Sequence, residues 1–254
     1  MKIIKIILTT ILLCSYISDA QVVNNENNSI SFGLALNNSW NNIKFKQLSE
    51  IENCCPSIFD NSSSQNILGE VSFRKFIFND FAYFVNLGFI NYSDKFISTE
   101  SKITEDDFAK IRHTMELNFF NIQNRIGLSN KFNHLGIAYG LINEFVISKK
   151  YDQKEELIEP KGATFENDLT VRNVYKNKDA SYINNYNLGV FGQVWYEFYF
   201  DEYHLRAISP YVEFNYFLTD YHKYNDFKKM NLVVGIQFRL IYKKDNDTPL
   251  SPID

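Results

Sequence analysis

YDQKEELIEPKGATFENDLTVRN, residues 151–173, is charged throughout, carries Pro160 and Gly162, and offers no face for a core. On either side of it the chain changes character. Upstream stands LGIAYGLINEFVI (135–147) and downstream YNLGVFGQVWYEFYF (186–200), two runs in which apolar and polar residues alternate. Alternation with period two is the signature of a β-strand with two different faces. Each run is long enough to cross a bilayer as a tilted strand. A long polar excursion between two such strands reads as an external loop of an outer-membrane barrel.

Composition supports strands. The 254-residue chain is 45% hydrophobic and 16% aromatic, with 23 Phe and 16 Tyr. Aromatic residues suit strands and membrane interfaces. The net charge of −4 gives no electrostatic ground for a nucleic-acid partner. Residues 1–20 read as a signal peptide: Lys2 and Lys5 precede an apolar run (6–13), and Ser18 and Ala20 are small where a cleavage site needs them. Cleavage after Ala20 is expected. The alternative is an uncleaved anchor, for which the run is short. Residues 21–28 are polar and read as a flexible start, residues 29–242 as the barrel, and 243–254 as a polar tail. An exported chain meets an oxidising compartment, yet the part after residue 20 holds only the adjacent Cys54 and Cys55, which is no disulfide framework. No segment after residue 20 offers 18 consecutive apolar residues, so no transmembrane helix is expected.

Taken in order, eight strands emerge: 29–36, 67–77, 81–92, 113–128, 135–147, 186–200, 207–218 and 230–242. The last is the cleanest, with Met230, Leu232, Val234, Ile236, Phe238, Leu240 and Tyr242 on one parity. The fourth changes phase: Met115, Leu117 and Phe119 give way to Ile122, Ile126 and Leu128, which predicts a β-bulge near Phe119–Phe120. Connections alternate long and short, with 37–66, 93–112, 148–185 and 219–228 reading as loops on one side. Short turns on one side and long loops on the other mark outer-membrane barrels. Glu70, Arg74, Arg125, Glu144, Glu197, Glu213 and Arg239 all fall on the less apolar face. An eight-stranded barrel is narrow enough for side chains to fill, so these charges are expected inside, paired with one another. A soluble lipocalin-like binder would reverse the two faces.

The segment DQKEELIEP…TFEN…RN (152–173), together with CCP at 54–56, resembles the eight-stranded barrel module of OmpA-like outer-membrane proteins. Asp168 stands where relatives commonly have glycine, and SIFDNSSS follows the CCP where they are often glycine-rich. Many relatives continue into a peptidoglycan-binding domain. The chain stops at Asp254, and peptidoglycan binding is not expected. Outer-membrane lipid is an expected partner of such a barrel, and the spacing of Gly235, Phe238 and Leu240 in the last strand suits the signal that the barrel-assembly machinery reads.

Within the loop, Asp152, Gln153, Lys154, Glu155, Glu156, Phe165, Glu166, Asn167 and Arg172 are the candidate ligand or partner contacts. Asp152, Glu155, Glu156, Glu159, Glu166 and Asp168 would suit a divalent cation. Interleaved Lys150, Lys154, Lys161 and Arg172 favour a salt-bridged loop instead. Cys54 and Cys55 read as a vicinal disulfide, a bridge elsewhere, or a structural pair. No metal, cofactor or catalytic motif is expected. The expected role is a structural or surface-binding outer-membrane barrel. The alternatives are a membrane-embedded lipid-modifying enzyme and a lipocalin-like binder.

Overall fold

A computed structural model describes residues 27–45, 59–78, 81–103, 108–165, 168–200, 205–223 and 226–243. Residues 1–20, nearly all of 21–28 and of 243–254, Cys54, Cys55, Glu166 and Asn167 lie outside the described residues. The described chain is antiparallel β throughout: β1 (Asn27–Phe45), β2 (Phe59–Phe78), β3 (Phe81–Ile103), β4 (Phe108–Phe132), β5 (Leu135–Glu159), β6 (Val171–Asp179), β7 (Tyr186–Tyr196), β8 (Phe198–Tyr199), β9 (Arg206–Phe217) and β10 (Phe227–Lys243). β10 pairs with both β1 and β9, which closes the sheet on itself. β8 continues β7 along β9, after Glu197 turns its N–H to the carbonyl of His134 (2.8 Å). Among the described residues, β6 pairs with β5 alone and stands outside the ring. The barrel therefore has eight staves.

Closure fixes the tilt. From Trp40 the pairs run through Met230, Tyr216, Val190, Leu141, Ile126, Val85 and Phe73, and return to β1 at Ile30. The circuit comes back ten residues lower on the strand it left, which is the shear of the barrel. At about 3.3 Å per residue and about 4.8 Å between strands, that shear inclines eight staves by about 41°.

The side-chain pattern then divides the molecule in two. In the lower half, Leu34, Ile67, Leu141, Val194, Val212 and Ile236 point outward and are exposed. The outward apolar row from Leu232 to Tyr242 on β10 spans ten residues, or about 25 Å along the axis at this tilt. That is the height of the apolar band of a membrane barrel. Aromatic residues edge it, with Trp40 and Tyr186 above and Tyr196, Phe198 and Tyr242 below, all exposed. The inner faces of the same strands carry buried Ser, Asn, Gln, Glu and Arg. This inversion excludes the lipocalin-like arrangement.

Above the band the faces exchange roles. On β4, Phe119, Leu117, Met115 and Ile111 are buried, whereas Asn118, Glu116, Thr114 and Arg112 face outward. On β3 the outward row passes from Tyr83, Val85, Leu87 and Phe89 to Asn91, Ser93 and Lys95. The upper half is thus built like a water-soluble sheet, with its apolar side turned in.

Two expectations are corrected here. First, β4 has no bulge. Odd-numbered residues point inward along it from Ile111 to Arg125, and its pairing with β3 is unbroken. The phase change in the sequence records the change of surroundings. The extra residue sits on the neighbouring strand: Phe120 pairs with Ser148 and Asn121 with Val146, which leaves Ile147 over. Second, 93–103, 108–112 and much of 37–66 and 148–185 are strand rather than loop. β3, β4 and β5 have 23, 25 and 25 residues, against the roughly 10 that a crossing needs. Their upper parts and β6 form a four-stranded sheet. The pairing of β2 with β3 stops at Leu68–Ile90, so this sheet leaves the ring there.

Candidate functional site

The lumen is filled in layers. At the lower end, Arg239 forms an ion pair with Glu197, and Lys131 Nζ lies 2.7 Å from the same carboxylate. Trp195 donates its indole N–H to Glu197 (3.1 Å). Arg74 stacks on the Trp195 ring at 3.7 Å and reaches Gln193 at 3.5 Å. The ring passes close over Gly136, where any Cβ would collide with it.

The middle layer is organised by Arg125, which is 1% exposed. Its Nε meets Glu213 at 2.8 Å and its Nη1 meets Asn86 at 2.9 Å, with Glu70 at 3.7 Å. Nη2 donates to Gln123 (2.9 Å), and Gln123 donates in turn to Glu144 (2.7 Å). Asn86 and Gln237 both donate to Glu70, at 2.9 and 2.6 Å. A buried arginine surrounded by acceptors offsets the cost of removing its charge from water. The seven charges expected inside are all buried. Five of them form two ion-pair groups, Arg125 with Glu213 and Glu70, and Arg239 with Glu197. Glu144 is held by Gln123 and by the hydroxyl of Tyr221. Arg74 is held by an aromatic ring and an amide.

Above these layers stands a pair that the sequence did not reveal. Lys229 Nζ lies 3.1 Å from Asp94 Oδ2 and 3.2 Å from the centre of the Tyr92 ring. Over it close Phe96, Leu117, Phe119, Phe217, Tyr221 and Phe227, all buried. Tyr182 packs on Tyr151 and on His222 at ring separations of 6.1 and 5.1 Å. Burial pushes the His222 imidazole below its usual range. Among the described residues, aromatic side chains pack the outer end of the lumen.

The candidate contacts of residues 152–172 divide by strand parity. Gln153 and Glu155 point inward and are buried. Asp152 accepts from the Asn177 backbone N–H (2.8 Å), Glu156 pairs with Arg112 (3.0 Å), and Lys154 is exposed. Arg172 donates to Glu155 through Nε (2.7 Å) and Nη2 (2.6 Å), and its guanidinium covers the Phe165 ring at 4.5 Å. These carboxylates are therefore engaged by cations or amides of neighbouring strands. His113 is also buried here, between Glu100 and Glu155.

No family model matches the chain, and no curated protein is similar to it at significance. Among solved structures, it is similar to Ail, the attachment invasion locus protein of Yersinia pestis, at 11% identity, covering 85% of this chain and all of that one (TM-score 0.33). It is also similar to Neisserial surface protein A at 8% identity, covering 84% and 98% (TM-score 0.37). The outer-membrane protease OmpT of Escherichia coli aligns at 8% identity, covering 88% and 99% (TM-score 0.34). Likeness at this level is one of barrel shape, and no functional argument follows from it.

Proposed function

We propose that this chain is a non-enzymatic outer-membrane barrel that holds a rigid external sheet, β3–β6, at the cell surface, where the sheet serves a structural or surface-binding role. The observation that carries the reading is the exchange of faces between Phe89 and Asn91 on β3 and between Phe120 and Asn118 on β4. A strand that is apolar outside below that line and apolar inside above it fits a bilayer below and water above. The filled lumen favours display over conduction. Kinship with OmpA-like barrel modules is part of the proposal and is supported by the motif at 152–173.

The test is direct. The folded protein is expected to need detergent for extraction, to migrate faster when unboiled than boiled, and to leave liposomes impermeable to small solutes. In intact cells, protease is expected to cut near residues 160–165 and to spare the strands of the membrane band. Extraction without detergent would overturn the membrane reading, and solute flux would overturn the filled lumen.

A further inference from the structure

His113 lies on the inner face of β4, 2% exposed. Its Nε2 stands 3.4 Å from Glu100 Oε2 on β3, and its Nδ1 stands 3.4 Å from Glu155 Oε1 on β5. Both strands pair directly with β4 at this level, Ser98 opposite His113 on one side and Glu155 on the other. A neutral imidazole has one N–H and one lone pair, and an ionised carboxylate only accepts. A neutral ring therefore serves one carboxylate and turns a lone pair on the other. The imidazolium carries an N–H toward each and attracts both, the Glu100 contact being an ion pair rather than an aligned hydrogen bond.

The surrounding charges sharpen the case. Glu155 has a second cation, Arg172 of β6, at 2.6 Å. Among the described residues, His113 is the cation within reach of Glu100. Among the described residues, Arg112 and Lys110 turn to the outer face, where Arg112 meets Glu156 at 3.0 Å and Lys110 meets Glu159 at 3.8 Å.

We propose that His113 is a proton-operated clamp, which ties β3 and β5 to β4 in the outer half of the external sheet when the ring carries both protons and releases one of them when it does not. The clamp's contribution is present at low pH and is lost as pH rises through the titration of the folded ring. At the acid end, the bond from His113, joined by that from Arg172, holds the Glu155 carboxyl below its usual range. The contribution of that carboxylate is present above the ordinary carboxylate range and is lost as pH falls through its lowered one. The clamp is closed in the window between. The surface that the sheet presents is then set by the pH outside the cell.

The experiment uses the refolded full chain in detergent micelles with isotope-labelled histidine, read by NMR, alongside amide hydrogen exchange. The His113 ring is expected to titrate above the roughly 6.5 of a solvated histidine, and Glu100→Gln is expected to lower that midpoint. Above the midpoint, amides of residues 98–101 and 153–157 are expected to exchange several-fold faster after correction for intrinsic rate, as the lost proton linkage implies. Amides of residues 189–194, in the membrane half, are expected to stay unchanged. His113→Gln is expected to remove the pH dependence. A ring that titrates at or below 6.5, or a midpoint that Glu100→Gln leaves unmoved, overturns the clamp. The near-isosteric Glu100 variant keeps the test open if His113→Gln fails to assemble.

Discussion

Lys229 and Asp94 face each other at 3.1 Å across the lumen, and neither side chain is exposed to solvent. They come from β10 and β3, on different sides of the ring. Their pairing, with Ser64 donating to the same carboxylate, joins the two parts into which the barrel wall separates above Ile90. Removing one partner would leave the other charge buried without its counterion, which costs about 3–5 kcal/mol. Lys229→Met and Asp94→Asn are each expected to lower the temperature at which the unboiled band disappears. The double variant is expected to recover part of the loss, and a strictly additive double would show that the pair is not coupled.

Arg125 invites the same experiment in mid-membrane. It serves Glu213, Asn86 and Gln123 at once, so Arg125→Met strands several buried acceptors. The loss is expected to reach the upper end of about 3–5 kcal/mol. Adding Glu213→Gln is expected to return some of it. Urea titration of the folded and unfolded bands measures both.

How much of this was legible varied by strand, for physical reasons. The Met230–Tyr242 stretch was read correctly because its outer face meets one environment along most of that length. On β4 the polarity pattern reversed at Phe119–Phe120 while the geometry did not, because the surroundings reversed. A slip and a change of solvent leave the same mark in a sequence. On β5 both occur together. Ile147 is a true extra residue, and the faces exchange at the same level. The two cancel, so Leu141 outside and Tyr151 inside share one parity and the bulge leaves no trace. The lumen charges from Glu70 to Arg239 could be found because parity alone sorts them within the membrane band. Lys229, Asp94 and His113 could not. They lie above the band, where buried charges carry no polarity signature of their own and polar sequence reads as loop.

The same boundary predicts a depth-dependent tolerance. An arginine replacing Ile236 or Val212, outward and near mid-band, is expected to cost about 2–4 kcal/mol. An arginine replacing Asn118 or Thr114, outward on β4 above the band, is expected to change stability by less than about 0.5 kcal/mol. Folding into liposomes, followed by the unboiled band, distinguishes the two sets. Equal costs in both would place the bilayer higher on the barrel than Phe120.

The β5–β6 hairpin gives the last prediction. Arg172 is half exposed, yet it donates two bonds to a carboxylate that is itself buried. Together with His113 it holds the Glu155 carboxyl below the usual range. A depressed carboxyl contributes stability above its unfolded pKa, and that contribution is lost as pH falls through the lower, folded value. On acidification below the ordinary carboxylate range, the hairpin is therefore expected to open while the lumen layers remain shut. Limited proteolysis at residues 160–165 with an acid-active protease measures the opening, and the unboiled band reports the barrel. Arg172→Gln is expected to move the opening to higher pH. Its effect at neutral pH is expected to stay within about 1 kcal/mol, because solvent screens the exposed half of the pair. If the hairpin and the barrel instead fail together, β6 is bound to the ring more tightly than its single pairing with β5 implies.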